Sequence, residues 1–473
     1  MPDYPLLQEV LFGVLSWLLL HQWIQWRHSG YRCRHRLAPA AVSKPPKPLP
    51  LPGVIHKPHC AACEPAALAP EAAVPVPPPL IRHRRGRRRQ VDTTAHYCPH
   101  PDCRYYGWLN RGNIRANGHP ASGHWRQLFC GACERYFQET HGTLFYGKTH
   151  TPETILRTIA CVAEGLGIRA VARVFEIEPN TVLSWLREAG EHAGAVSTYL
   201  LHELHVEQVQ LDELFALISE HRTGELDEQG LLKRLNRRPR WIWAAIDPVS
   251  KLLIAVTPGE RCLAMAQTII HQIRSRLAAD CLPVFLSDGL KDYATALLTH
   301  YGQWVQFPKR HARGAVPKPR WCVLPQLHYA QVVKQCRRRR LVRVIQRVVF
   351  GSYTEIAQRL HQHGWQINTA FIERLNLSLR QHVAAIGRRV ITLAKTDHGL
   401  RCQLQLFQAY YNHCLTHLSL RQAVAIAHEA TEPKARRWQK VTPAMAAGLT
   451  DHVWTLRELL LFRVPPWQQP ALE

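Results

Sequence analysis

Two apolar runs on either side of a turn, WIWAAIDPVSKLLIAV at residues 241–256, decide the fold of this chain. Apolar and β-branched residues around Pro-Val-Ser-Lys predict a β-hairpin, with Asp247 as a turn residue. The alternating segment VEQVQLDEL at 206–214 precedes the hairpin, and the short apolar run VFLSDG at 284–289 follows it. Helical segments separate these strands, so we expect an α/β protein with a mixed sheet.

The charge of the chain indicates a polyanionic partner. The 473 residues include 60 lysines and arginines against 35 aspartates and glutamates, which gives a net charge of +25. Nucleic acid is the first candidate partner and an anionic membrane surface the second. The hydrophobic content of 46% excludes wholesale disorder.

The N-terminal part of the sequence predicts a helix and a linker. Residues 1–38 form an apolar and amphipathic stretch whose longest apolar run is too short for a membrane span, so we expect a cytoplasmic protein. Residues 39–95 are rich in proline and end in an arginine run. This linker also contains a small group that leaves open either a second zinc site or a solvated stretch: His56, His59, Cys60 and Cys63.

Two close cysteine pairs predict a zinc ribbon over residues 96–150. Cys98 and Cys103 form the first pair, and Cys130 and Cys133 form the second. Fourteen cysteines in a chain of this length are too dilute for a disulfide scaffold. Four thiolates from two such pairs can surround one tetrahedral zinc ion, which would be structural.

Residues 151–200 carry a helical pattern that favours a helix-turn-helix over a plain helical bundle. Thr151-Pro opens the first helix, and the last is expected over Thr181–Glu191. In the middle helix we expect Ala170, Val171, Val174 and Phe175 to point inward. The second helix of such a motif enters the major groove of DNA. Its exposed residues would be Asn180, Thr181, Ser184 and Arg187.

Three acids are candidates for a two-magnesium site. Asp212 lies in the alternating strand, Asp288 ends a buried strand, and Glu373 lies in the helical stretch AFIERLNLSLR. Carboxylates from adjacent strands and a helix can hold two Mg²⁺ ions at a phosphodiester. Arg380, two helical turns after Glu373, is a candidate phosphate ligand. Taken singly, each acid is better explained as a cap or a surface ion pair.

These residues resemble a known family. LDELFALI, the 241–256 hairpin, LSDGLKDY and FIERLNLSLRQHVAAIGRRV together are similar to the DDE-type transposases of the insertion-sequence 1 family and their longer single-chain relatives. The resemblance implies a ribonuclease-H-like catalytic domain over 201–420 and a C-terminal tail over 421–473. It also implies magnesium-dependent strand transfer, with Asp212, Asp288 and Glu373 as metal ligands. The interval between the last two acids is longer than in compact members.

The expected function is therefore DNA transposition. The zinc ribbon and the helix-turn-helix would recognise terminal inverted repeats, and a basic insertion at 303–350 would hold the phosphate backbone independently of sequence. The active complex is expected to be a homo-oligomer associated with a prokaryotic nucleoid, with no small-molecule substrate. Two alternatives stay open: a catalytically inactive, domesticated transposase acting as a DNA-binding regulator, and a metal-dependent nuclease without strand transfer. The basic insertion contains a run of four arginines: Arg337, Arg338, Arg339 and Arg340.

Overall fold

A computed structural model describes most of the chain after the proline-rich segment. The described residues are 76–80, 92–119, 124–218, 238–309, 315–338, 340–387, 393–423 and 438–470. The predicted N-terminal helix, most of the linker with its histidines and cysteines, and Arg339 lie outside them. Across the described ranges, every helix is too short or too polar to cross a lipid bilayer.

The cysteine pairs lie in a small antiparallel sheet. Its strands are β1 (Ile114–Ala116), β2 (Gln127–Cys130) and β3 (Arg135–Gln138), in that spatial order. The β1–β2 hairpin joins the two cysteine pairs, as the spacing predicts. A core of Tyr105, Leu128 and the buried thiols holds the module together.

Three helices follow: α1 (Pro152–Ala163), α2 (Ile168–Phe175) and α3 (Pro179–Leu200). The Thr151 side chain caps α1 by accepting from the Thr154 amide, as predicted. The prediction for the interior of α2 is partly wrong, because Val174 is 68% exposed and Ala172 is buried in its place. The last helix also runs well past its predicted end, since its C-terminal half packs against a helix of the following domain.

The central sheet has six strands: β4 (Gln208–Ile218), β5 (Arg238–Ile246), β6 (Leu253–Gly259), β7 (Val284–Ser287), β10 (His328–Arg337) and β11 (Arg340–Phe350). Their spatial order is β11-β10-β7-β4-β5-β6. Strands β4, β7 and β10 run parallel, whereas β5, β6 and β11 are antiparallel to their neighbours. This mixed sheet is consistent with a ribonuclease-H-like domain, and the predicted hairpin is confirmed as β5–β6.

Helices cover both faces of the sheet. Helices α4 (Leu263–Arg276) and α5 (Asp292–Tyr301) bury one face, around Trp243. Helices α7 (Ala370–His382) and α8 (Asp397–His413) bury the other. Successive residues of a strand point to opposite faces, so neighbouring residues of β4 face different helices. A further helix, α6 (Tyr353–His361), packs beside β7 and β10.

The segment predicted as a basic insertion has two parts with different roles. Strands β8 (Gln303–Val305) and β9 (Arg320–Cys322) form a short separate hairpin. In contrast, β10 belongs to the central sheet, where Tyr329 is fully buried. Beyond Gln331, β10 pairs only with β11, and the two strands continue as a basic β-ribbon whose tip pairs Arg337 with Arg340.

The C-terminal residues tie the cysteine module to the helices. Helix α9 (Pro443–Ala446) packs near α8, and α10 (Leu456–Leu461) packs against α3 through Leu459 and Leu460. Past this helix, the Trp467 ring contacts Trp108 with their centroids 5.7 Å apart. The predicted tail of short helices is thus packed against the domain that contains the cysteines.

Candidate functional site

The sheet brings two of the predicted acids to neighbouring strand positions. Leu211 on β4 is in register with Ser287 on the parallel strand β7. Asp212 is the next residue of β4, and Asp288 directly follows β7, so the two acids lie side by side where β7 ends. Glu373 reaches the same region from the first turn of α7.

A buried glutamine fixes the start of α7 relative to β4. The Gln210 side chain accepts from the Ile372 amide at 3.1 Å and donates to the Asn368 carbonyl at 3.0 Å. Gln210 has no exposed surface and shares a strand face with Asp212, two residues later. This contact therefore sets where Glu373 stands relative to Asp212.

Asp212 is held by two hydrogen bonds and has a raised pKa. Its Oδ2 accepts from the Asn376 side chain at 2.7 Å, and its Oδ1 accepts from the Glu213 amide at 2.9 Å. Burial raises the pKa of Asp212 to about 6, and the charges of Asp288 and Glu373 add to that increase. The three acids therefore repel one another electrostatically across the site.

Two cations that the sequence did not single out hold these acids. Lys334, on the ribbon side of β10, pairs with Glu373, whose Oε1 also accepts from Thr369 at 2.8 Å. Arg261 lies 3.1 Å from Glu213 and 3.8 Å from Asp288, measured from its Nη2 to a carboxylate oxygen of each. Neither cation has a local sequence signal, because both come from distant strands or loops.

Glu213 is a fourth acid next to the site. It faces the opposite side of β4 from Asp212, as the strand alternation predicts, and its side chain is 1% exposed. Burial raises its pKa to about 7, the charge of Asp288 adds to this, and Arg261 opposes it. Glu213 and Asp288 thus share one guanidinium.

Asp288, Arg380 and Asp247 match the sequence expectations to different degrees. An acid at the end of a buried strand is expected to be poorly solvated, but the Asp288 side chain is 40% exposed, since the strand ends one residue earlier at Ser287. Arg380 lies in the last turn of α7, at the opposite end from Glu373, where its Nη1 donates to the Ile386 carbonyl at 3.4 Å. Asp247 is a turn residue as predicted, since its carboxylate accepts from the amides of residues 249 and 250.

The three acids stand farther apart than the ligands of a single metal ion. Among the described residues, the carboxylate oxygens of these three acids do not all lie within 4.8 Å of one another. Around a single ion with oxygen ligands near 2.1 Å, no two oxygens can be more than about 4.2 Å apart.

The four cysteines stand at the distances that a zinc ion requires. Cys98 Sγ lies 3.7 Å from Cys133 Sγ, and Cys103 Sγ lies 3.8 Å from Cys130 Sγ. Tetrahedral Zn–S bonds of about 2.3 Å place sulfur atoms about 3.8 Å apart. The Asn113 side-chain amide donates to Cys130 Sγ at 3.3 Å, as expected for an electron-rich sulfur. The donor set therefore fits a structural zinc ion.

The residues predicted to contact DNA lie on two separate surfaces. On α3, Asn180, Ser184 and Arg187 are exposed and Thr181 is half-buried. Ser184 donates to Glu188 at 3.1 Å. The second surface is the tip of the ribbon, where three of the four predicted arginines are described and exposed: Arg337, Arg338 and Arg340.

Comparison with known proteins gives only weak structural likenesses. No family model and no curated protein matches the sequence. Among solved structures, the chain is similar to the Mos1 strand transfer complex at 13% identity, over 31% of this chain and 54% of the other. It is similar to a pre-cleavage Mos1 transpososome at 14% identity, over 33% and 59% of the two chains.

Both likenesses have a TM-score of 0.12, and the chain spans little more than half the length of either structure. At these scores they decide neither fold nor function. That the sheet is consistent with a ribonuclease-H-like domain therefore rests on its strand order and directions alone.

Proposed function

We propose that this protein is a DNA transposase of the three-carboxylate type, similar to the insertion-sequence 1 family. The observation that carries this proposal is the meeting of Asp212, Asp288 and Glu373 where β7 ends, in a sheet consistent with a ribonuclease-H-like domain. The pKa of Asp212, raised to about 6 by burial and by the other two charges, supports a site built for cations.

The three acids would hold two Mg²⁺ ions. When bound, such ions supply Lewis-acid stabilisation of the charge that develops on a phosphodiester. Asn376 orients Asp212 through its hydrogen bond, and Gln210 keeps Glu373 in place through the start of α7. Arg380 lies at the end of α7 opposite Glu373, so it would not act directly at the acids. It would serve as a secondary phosphate contact.

Lys334 and Arg261 would act as placeholders for the ions. Each neutralises an acid of the site, so the carboxylates are compensated before metal and DNA arrive. In a metal-loaded site, Lys334 and Arg261 would be available for the phosphates beside the scissile bond. Arg261 also covers the Trp241 ring, with its guanidinium carbon 4.9 Å from the ring centroid, which limits its movement.

DNA recognition would come from the N-terminal half of the described chain. Helices α2 and α3 would form a helix-turn-helix, with the residue Glu176 between them in the left-handed conformation. The zinc-bound cysteine module would support this reader at terminal inverted repeats, in an oligomeric complex. Base-reading residues would lie at the exposed N-terminal half of α3: Asn180, Thr181, Ser184 and Arg187.

The β-ribbon would hold phosphate backbone independently of sequence. A two-stranded ribbon fits a DNA groove, and arginine is well suited to phosphate. Arg337, Arg338 and Arg340 lie at its tip, on the same strand pair as Lys334, which pairs with Glu373. The same two strands therefore carry both the arginines proposed to contact the DNA backbone and the lysine that pairs with an acid of the proposed catalytic site.

Cleavage of a labelled duplex with the element's own ends tests the catalytic proposal. Asp212→Asn, Asp288→Asn and Glu373→Gln should each lower the Mg²⁺-dependent rate by at least about 10³-fold, on the order of 4 kcal/mol in barrier. Asp280→Asn changes an exposed acid of the same domain and is the matched control. A parent that binds its ends but never cuts them would favour the regulator, and cutting without joining would favour the nuclease.

Binding measurements test the two DNA surfaces separately. Arg187→Ala should weaken binding to element ends more than to random duplex, because it removes a base contact. Arg338→Ala should weaken both alike and reduce the salt dependence by about one phosphate. Equal losses on both duplexes for Arg187→Ala would show that α3 is not the reader.

A further inference from the structure

A second group of metal-binding side chains lies between α3 and α8, apart from the acids and the four cysteines. It consists of Glu191 on α3 with His398 and Cys402 on α8. His398 Nε2 lies 3.1 Å from Glu191 Oε1 and 3.7 Å from Cys402 Sγ. All three ligand atoms lie within 4.8 Å of one another.

The spacing on α8 brings two of these ligands together. His398 and Cys402 are four residues apart, which places them one above the other on a helix. The third ligand depends on a close approach of α3. A Cβ on Gly190 would lie only 2.4 Å from the Cys402 carbonyl oxygen, so a larger residue would hold the helices apart.

The distances match tetrahedral zinc. With Zn–N and Zn–O bonds near 2.1 Å and Zn–S near 2.3 Å, the N···O separation is about 3.4 Å and the N···S separation about 3.6 Å. The observed values, 3.1 and 3.7 Å, lie within about 0.3 Å of these. One carboxylate, one imidazole and one thiolate form a mixed donor set that zinc accepts.

A catalytic triad and a simple ion pair both agree less well with this geometry. A Cys-His-Glu triad would use opposite ring nitrogens for the thiol and the acid, whereas both contact Nε2 here. An ion pair between His398 and Glu191 would not involve the thiol. One ring nitrogen cannot donate to the carboxylate and accept from the thiol at once, but a shared metal ion satisfies all three ligands.

We propose that Glu191, His398 and Cys402 bind a zinc ion with three protein ligands and a fourth position open to solvent. Glu191 and His398 are exposed, so the ion has access, while Cys402 is 1% exposed and anchors the site. Because the ligands come from two helices, the ion fastens α3 to α8. This site does not depend on the proposed activity.

Zinc content of the full-length protein tests the site. The purified chain is loaded with Zn²⁺, freed of unbound ion and analysed by elemental mass spectrometry. His398→Ala and Glu191→Gln should each hold one zinc fewer per chain than the parent. Both residues are exposed, so these variants should fold. Combining His398→Ala with Cys130→Ser should remove two, because the cysteine cluster is a separate site.

The matched control is His452→Ala. His452 is also an exposed histidine, and its ion-pair partners are two acids, Asp451 and Glu458, rather than an acid and a thiol. It should keep the parent's zinc content. In the Co²⁺-loaded protein, Cys402→Ser should also lose intensity from the sulfur-to-cobalt charge-transfer band. Unchanged zinc content in His398→Ala, or an equal loss in His452→Ala, overturns the proposal.

Discussion

The cysteine cluster and the carboxylate site are both expected to bind metal, yet they differ in how far they are assembled. The cysteines come from one segment, residues 98–133, and their sulfur atoms already stand 3.7 and 3.8 Å apart. The acids come from residues 212–373, stay farther apart, and are paired with Lys334 and Arg261.

Charge explains this difference. Cysteine side chains are small and pack together in an apolar core at little cost, and two tight turns bring them to ligand distance. Carboxylates at the end of a sheet repel one another, so the fold separates them and supplies cations. A structural metal site can therefore be complete before the ion binds, whereas a catalytic site keeps its charge for substrate and ions.

The largest effect should come from Cys130→Ser. It removes a fully buried ligand, so the protein should lose one zinc and several kcal/mol of local stability across residues 96–141. Zinc analysis and limited proteolysis measure the two effects. Cys161→Ser, at an isolated half-buried thiol, should change neither. Full zinc retention in Cys130→Ser would show that Cys130 is not a zinc ligand, and the contrast between the cysteine cluster and the carboxylate site would no longer hold.

Asp212→Asn should stabilise the protein at neutral pH when Mg²⁺ is absent. The pKa of Asp212 is raised from about 3.9 to about 6, so its contribution to stability is complete below pH 4 and is lost as the pH rises through 6. The variant should therefore gain up to about 3 kcal/mol over the parent at pH 7 and nothing at pH 4. Denaturant unfolding at both pH values measures this.

An equal effect of Asp212→Asn at pH 4 and pH 7 would mean that charge repulsion is not the cause. Asp280→Asn, at an exposed acid with ordinary surroundings, serves as the control for the loss of one negative charge. Its stability should follow that of the parent at both pH values.

Arg261→Gln should act in the opposite direction and cost about 1–2 kcal/mol at pH 7. It leaves the buried Glu213 without its guanidinium, and the pKa of Glu213, already about 7, should rise further. The cost is limited because Glu213 can take up a proton instead. Unfolding near pH 5, where Glu213 is protonated in both proteins, should show a smaller difference.

Lys334→Gln should have the smallest effect. Removing the cation from Glu373 should lower the Mg²⁺ concentration for half-maximal cleavage by a few-fold, because the ion no longer competes with an ammonium group. Lys291→Gln changes a lysine at the start of α5 and is the control. A higher Mg²⁺ requirement in Lys334→Gln would mean that Lys334 helps to bind the substrate rather than to hold the acid.

Local patterns predicted most of the elements but not every boundary. The hairpin at 241–256, the cap at Thr151 and the cysteine module follow from neighbouring residues. The end of α3 does not, because its last turns are helical through packing on α8 rather than through their own pattern. The same holds for Val174, which is apolar but lies on the exposed side of a short helix.

The sequence by itself determined the ligand types: two cysteine pairs, an acid in each of two strands and one on a helix. Only the tertiary structure decided which side chains surround them. Gln210 on β4 binds the start of the helix that carries Glu373, and Lys334 on β10 pairs with the Glu373 carboxylate. His398 and Cys402 meet Glu191 across a helix interface. Contacts between residues so far apart depend on strand register and helix packing, which no short segment encodes.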